Sequence, residues 1–220
     1  MTDRWPGEPD VLEDSSESAV VEPLPEPEPE PEPEPDAEPD LEPAAEAPPP
    51  PPHHAAGDID VPDDIGVLEG EPGPLRRGIA IVVGKFNGEI TTQLLASALA
   101  ELDEIGVDRS QLTVVPVPGA FELPLASMAL AKTRRYACVI ALGCVIRGET
   151  PHFEYVASEA ASGLQLAALE TGIPVAFGVL TTETREQAEA RVGKGAEAAR
   201  TALEMADLFG QLRQSVAGAG

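Results

Sequence analysis

The sequence predicts a three-layer α/β/α sandwich on a four-stranded parallel sheet, preceded by a disordered, acidic, proline-rich tail. Three observations predict it. Four short apolar runs rich in β-branched residues recur along the C-terminal two thirds of the chain. Each run is followed by a stretch with helical spacing, and strands apolar on both faces with helices between them form parallel sheets covered on both sides. Charge and proline then set this body apart from what precedes it. The chain has 220 residues and a formal net charge of -25, yet residues 1–74 hold 23 of the 39 acids, one of the 14 bases and 19 of the 24 prolines.

The elements follow in order. Ile79-Ala80-Ile81-Val82-Val83, ended by Gly84, is the first strand. Ile90, Leu94, Leu95, Ala98, Leu99, Leu102 and Ile105 then recur at three and four residues, marking one face of a helix over 90–105 that Gly106 ends. Residues 112–117 (Leu-Thr-Val-Val-Pro-Val) are the second strand, followed by a Pro-Gly loop and a helix over about 121–133. Ala137 to Val145 is the third strand, apolar throughout, with a helix from about 153 to 171 closed by Gly172. Pro174 to Leu180 is the fourth strand, and continuous helical pattern runs from Glu183 to Leu212. The expected outline is flavodoxin-like, with a body from residue 75 large enough to bury a core.

The tail, residues 1–74, lacks the apolar surface that would offset chain entropy. Pro25 to Asp36 alternates proline with acid, and Pro48 to Pro52 is an unbroken proline run, so extended polyproline II is expected, with 58–74 as linker. Its charge and the near-neutral body exclude nucleic-acid binding through a basic surface. No apolar run reaches the roughly 20 residues of a membrane span. No signal-peptide pattern opens the chain, and two cysteines within one apolar run read as reduced core thiols, so a cytoplasmic setting is expected.

In an open parallel sheet, ligands bind beyond the carboxyl ends of the strands. There the sequence places Lys85-Phe86-Asn87-Gly88, Gly119-Ala120-Phe121-Glu122, the run Ile146-Arg147-Gly148-Glu149-Thr150-Pro151-His152-Phe153, and Thr181-Thr182. Neither a dinucleotide fingerprint nor a P-loop is present, and no Cys/His cluster has metal-ligand spacing. Each residue also has a purely structural reading: Phe86 as a cap on the sheet, Glu122 as a favourable charge at a helix start, Arg147 as one side of a salt bridge, Arg191 as a solvated arginine. His152 is the only histidine after residue 54, and an imidazole suits proton transfer near neutrality.

Taken together, Phe86-Asn87, Gly119 to Glu122, Ala141 to Phe153, and Phe177 to Thr182 with Glu186-Gln187-Ala188 and Arg191 resemble the lumazine synthase family over nearly all of residues 78–209. The resemblance implies a transferase of riboflavin biosynthesis. It would condense 5-amino-6-(D-ribitylamino)uracil with 3,4-dihydroxy-2-butanone 4-phosphate, with no metal and no organic cofactor. It implies Phe86 stacked on the pyrimidine with Asn87 beside it. Ala120, Phe121 and Glu122 would lie along the ribityl chain, and backbone groups of Cys144, Val145 and Ile146 against the ring edge. Glu149 and Thr150 would lie at the phosphate, His152 would be the general acid/base, and Phe177 would close the pyrimidine pocket. Arg191 would hold the phosphate, with Lys194 near it. Phe177 and Arg191 would come from a neighbouring subunit of a homo-oligomer, a pentamer or a sixty-subunit shell, and riboflavin synthase is an implied partner.

The chain departs from the family pattern after Arg191, where Val192-Gly193 runs straight into Lys194-Gly195. This shortening predicts one fused helix and a displaced Arg191 or Lys194. The tail, which carries 23 acids and one base through residue 74, would repel its copies inside a shell, so tails are expected outside one, or on a pentamer. Two other readings stay open: a non-catalytic lumazine-synthase-like shell or ribityl-pyrimidine- or flavin-binding protein, and a generic flavodoxin-like binding domain.

Overall fold

The computed structural model describes residues 59–218. The expectation of a disordered tail over residues 1–58 lies outside the described residues. The body is a parallel sheet with helices on both faces, in the order β1 (Gly78–Gly84), α1 (Gly88–Ile105), β2 (Leu112–Val117), α2 (Leu123–Lys132), β3 (Tyr136–Ile146), α3 (His152–Thr171), β4 (Val175–Thr182), α4 (Arg185–Glu189) and α5 (Lys194–Gly218). The strands lie in the order β2-β1-β3-β4, all parallel. This is the flavodoxin-like outline the sequence predicts.

Alternation along β1 divides the core in two. Ile79, Ile81 and Val83 pack against α1 and α5, through Ala98, Leu102, Ala199, Ala202 and Leu203. Ala80 and Val82 face α2 and α3, through Leu123, Ala160 and Leu164. The alanines of α5 let it lie close to the sheet, and its start lies closer still to α1. A Cβ at Gly195 would sit 2.1 Å from the Leu94 carbonyl oxygen, so any larger residue there would push the two helices apart.

Three sequence expectations change. The second strand is not covered on both faces. β2 is an edge strand, with Thr113, Val114 and Pro116 exposed. Pro116 fits this place because it has no N–H to give a central ladder. The helical pattern from Glu183 also does not run unbroken. α4 ends at Glu189, and a turn closed by Arg191 N–H to Ala188 O (2.9 Å) and Lys194 N–H to Arg191 O (2.9 Å) separates it from α5. Finally, residues 69–74, read as the end of a linker, run with Leu75 along α5. The Glu71 N–H donates to Asp207 Oδ2 (3.1 Å), Gln211 Nε2 donates to the Glu69 carbonyl (2.8 Å), and Leu75 packs on the core.

Candidate active site

The site starts from a mismatch in strand length. β1 pairs with β3 only as far as Val83 opposite Leu142, whereas β3 stays paired with β4 to Ile146 opposite Thr182. The β1 side of residues 143–146 therefore carries backbone groups outside any ladder. Buried or part-buried backbone groups need partners, and one is supplied locally. Asn87 turns the chain at the end of β1 in a left-handed conformation (φ 56°, ψ 44°), which asparagine tolerates better than most residues. From there its Nδ2 donates to the Cys144 carbonyl at 3.0 Å.

A cleft of about 610 Å³ opens on this side. From the end of β1 come Phe86, 72% exposed, and Asn87. The segment after β2 contributes Ala120, Phe121 and Glu122, and the end of β3 contributes Cys144, Val145 and Ile146. Thr150 and His152 come from the loop and first residue of α3. The structure thus brings together ten of the fourteen residues singled out in the sequence. Glu149 lies between two lining residues, Gly148 and Thr150, but does not line the cleft.

Local hydrogen bonds fix one of these groups and leave another open. Glu122 Oε2 accepts from the Gly119 N–H at 2.8 Å, and the Glu122 N–H donates back to the Gly119 carbonyl at 3.4 Å. Half of the carboxylate therefore holds its own turn, and Oε1 has no partner among the described hydrogen bonds. His152 begins α3 just after the N-cap Pro151 and is exposed, and none of the described hydrogen bonds engages its ring. Its imidazole is available to a ligand. The Cys144 thiol also lines the cleft, but burial pushes it up to about 11, against a weaker opposite pull from Arg185. It is no thiolate nucleophile near neutrality.

Three predicted residues lie elsewhere. Phe177 sits on edge strand β4, 47% exposed, outside the cleft. Arg191 is in the turn after α4, where its Nη1 donates to the Gln187 carbonyl at 2.8 Å. Lys194 starts α5 and pairs with Glu197 at 2.6 Å. Sequence reasoning also missed contributors. Tyr155 and Val156 line the cleft, three and four residues after His152, so they share its helix face. That spacing was the available signal. Pro118, from the Pro-Gly loop, and Gly148 and Phe153, from the run after the third strand, also line it. Among the described residues, no group of three or more His, Cys, Asp or Glu is placed to hold a metal ion, and no helix is long and apolar enough to cross a membrane.

Aromatic rings, a carboxylate and a helix-start imidazole around a cleft at the carboxyl ends of a parallel sheet define an α/β enzyme that handles a small planar substrate. The family model described as 6,7-dimethyl-8-ribityllumazine synthase matches residues 77–210. The chain is 54% identical over 151 residues to the 6,7-dimethyl-8-ribityllumazine synthases of Yersinia pestis (strain Pestoides F) and Yersinia pseudotuberculosis serotype O:1b (strain IP 31758). Each alignment covers 66% of this chain and 97% of the relative. The chain belongs to the 6,7-dimethyl-8-ribityllumazine synthase family.

Proposed function

We propose that the chain condenses 5-amino-6-(D-ribitylamino)uracil with 3,4-dihydroxy-2-butanone 4-phosphate, giving 6,7-dimethyl-8-ribityllumazine and releasing phosphate and water, in riboflavin biosynthesis. One observation carries the reading: the residues predicted to bind the pyrimidine, its ribityl chain and the reacting protons converge in one cleft beside an unpaired strand edge. A uracil edge needs alternating donors and acceptors, and the backbone of Cys144 to Ile146 supplies such a row. Asn87 keeps that row in register by holding the Cys144 carbonyl. Phe86 stacks on the ring. Phe121 and Ala120 lie along the ribityl chain, and Glu122 accepts from its hydroxyls through Oε1.

The chemistry asks for positioning and proton transfer. The 5-amino group attacks the ketone and water leaves to give an imine. A proton is then lost from C3 as phosphate leaves C4, the resulting enol tautomerises to a second carbonyl at C3, and the ribityl-bearing nitrogen closes the ring on it with loss of a second water. His152 moves the protons, at the start of a helix whose N-terminal N–H groups also favour the phosphate. Thr150 and the Glu149 backbone N–H complete that anion site. Holding two substrates in contact supplies much of the rate.

Phe177, Arg191 and Lys194 serve the site of a neighbouring copy, with Phe177 closing the pyrimidine pocket and Arg191 and Lys194 on the phosphate. Two features support a homo-oligomer, a pentamer or a larger shell of pentamers. The single-copy cleft has no cation for the phosphate among its lining residues. The side of the molecule bearing Phe177 also carries an apolar groove of about 360 Å³ lined by Leu169, Val175, Met205 and Phe209. The unpaired thiols Cys138 and Cys144 suit a reducing, cytoplasmic setting. Residues 1–74 form an acidic arm ahead of the enzyme domain, its last residues lying along α5, and riboflavin synthase would be the partner that consumes the product.

The test is turnover. Purified full-length chain given both substrates should form lumazine fluorescence well above the uncatalysed rate, in a fraction larger than a monomer by size. Turnover equal to the uncatalysed background would overturn the reading.

A further inference from the structure

A network outside the cleft joins the His152 loop to the Arg191 turn. Its centre is Arg147, just beyond β3. The Arg147 backbone N–H donates to the Thr182 carbonyl at 2.9 Å, continuing the β3–β4 ladder by one step. Its guanidinium makes three contacts of different kinds. Nε pairs with Glu183 Oε2 at 2.5 Å, Nη1 pairs with Glu154 Oε1 at 3.2 Å, and Cζ lies 4.6 Å from the centroid of the Phe153 ring. Phe153 follows His152 directly and itself lines the cleft. On the other side, the Glu183 N–H donates to Gln187 Oε1 at 3.0 Å, and the Gln187 carbonyl accepts from Arg191 Nη1 at 2.8 Å. The Gln187 N–H is tied in turn to Thr184 Oγ1 at 3.3 Å.

Exposed ion pairs of this type add little to stability, and Arg147, Glu154 and Glu183 are all largely exposed. Their geometry is the more informative property. Only a planar, multiply donating cation can stack on a ring and pair with two carboxylates at once, so lysine is a poor substitute. Neither the pairing of β3 with β4 nor the family reaction requires those three contacts, yet together they set the loop that carries Thr150 and His152 against the turn that carries Arg191.

We infer that Arg147 is a positioning residue that, through Glu183 and Gln187, holds the His152 loop of a copy and the Arg191 arm of the same copy in one fixed arrangement. The inference rests on the proposed function for the roles of His152 and Arg191. Under that reading the two ends of the network serve different active sites, one in each of two adjacent copies. The network therefore couples the placement of phosphate contacts across a subunit boundary.

The experiment uses the full-length oligomer with Arg147→Gln, Arg147→Lys, Glu183→Gln and the double variant Arg147→Gln/Glu183→Gln. Hydrogen–deuterium exchange reads the network without reference to activity. Arg147→Gln should speed exchange about tenfold in residues 183–191, and Glu183→Gln should do the same in 147–153, each acting on the segment the substitution does not touch. In turnover assays kcat/KM for the phosphate substrate should fall about tenfold in either single variant, with the KM for the pyrimidine within about twofold. Arg147→Lys should recover only part of that loss. The double variant should be no worse than the poorer single, because both substitutions cut one connection.

Exchange changes confined to the substituted segment, or single-variant losses that multiply in the double variant, would overturn the inference. A similar fall in kcat/KM for both substrates together with a lowered thermal midpoint would overturn it as well, by showing a general loss of structure. If the unaltered chain shows no turnover while the reciprocal exchange effect is present, the network stands and the proposed reaction fails.

Discussion

Phe86, Glu122, Cys144 and His152 reach one cleft because each lies in, or in the segment after, the carboxyl end of β1, β2 or β3, and the parallel sheet points those ends at the same rim. Phe177, Arg191 and Lys194 are placed differently. The first lies within edge strand β4, the second in the turn after α4, the third at the start of α5, and none lines the cleft. In the proposed function the first group serves the planar ring and the proton transfer, and the second supplies the cations for the phosphate. A single copy brings the first group into one cleft and leaves the second outside it.

The largest expected effect tests the first group. His152→Ala should lower kcat roughly a hundredfold or more, since general acid–base catalysis contributes on that scale, while the KM for the pyrimidine stays close to that of the unaltered chain. Stopped-flow fluorescence of product formation measures it. A kcat within about threefold of the original would remove His152 from the reaction and reduce the first group to binding.

Arg191→Ala tests the second group and should be somewhat milder. Loss of a charge-assisted fork should raise the KM of the phosphate substrate roughly ten- to a hundredfold, with less change in kcat. The comparison sharpens when the two variants are co-assembled. Mixed oligomers of His152→Ala and Arg191→Ala should regain activity that neither has alone, because some interfaces pair an intact cleft with an intact arm. Mixtures no more active than the better parent would place both groups in one copy and break the contrast.

These expectations also show what the sequence could carry. Apolar runs and helical periods gave the strand and helix order, and the strand ends gave most of the cleft. Edge status was harder, because β2 is as β-branched as β1. Its only hints were Thr113 and Pro116, a polar residue and a missing N–H. The break between α4 and α5 had one hint in propensity, Gly193, while Ala188, Glu189 and Ala190 all favour a helix. Tertiary packing adds to it, since Gly195 at the start of α5 lies against the Leu94 carbonyl, a contact only glycine allows. For the same reason the shortened segment keeps two helices, with Arg191 held on the Gln187 carbonyl. Arg147 could be recognised as an ion-pair candidate from sequence, but Glu183 is 36 residues away and its partnership needed the β3–β4 pairing.

A smaller effect probes how the strand edge inside the cleft is kept in order. Asn87 has two properties, a left-handed backbone and an amide on the Cys144 carbonyl. Asn87→Gly keeps the first and removes the second, and Asn87→Ala removes both. Both variants should raise the pyrimidine KM about five- to tenfold, the worth of roughly one hydrogen bond. Urea unfolding should show the alanine variant less stable than the glycine variant by about 1 kcal/mol, the cost of a Cβ in that conformation. An unchanged pyrimidine KM in Asn87→Gly would show that the Cys144 carbonyl does not need the amide to meet the ring.

The smallest effect separates a cysteine of the cleft from one of the core. Burial pushes the Cys138 thiol up to about 12 and the Cys144 thiol up to about 11, and Arg77 and Arg185 respectively offset only part of it. The ordinary thiol value is about 8.5. The folded chain therefore keeps protons that the unfolded chain releases. Stability from each thiol is complete below the unfolded value and is lost as pH rises from there toward the folded value, by about 1.4 kcal/mol per pH unit per thiol at most. Urea midpoints measured between pH 8 and pH 10.5 should fall less steeply in Cys138→Ala than in the unaltered chain, whatever cavity the substitution leaves. Equal slopes would mean that the buried thiol does not titrate on unfolding. Cys144→Ala should flatten the slope too, and a bound pyrimidine should slow alkylation of Cys144 while leaving Cys138 unaffected. Only the first of the two thiols borders the cleft, so equal protection of both would place the ligand somewhere other than the rim.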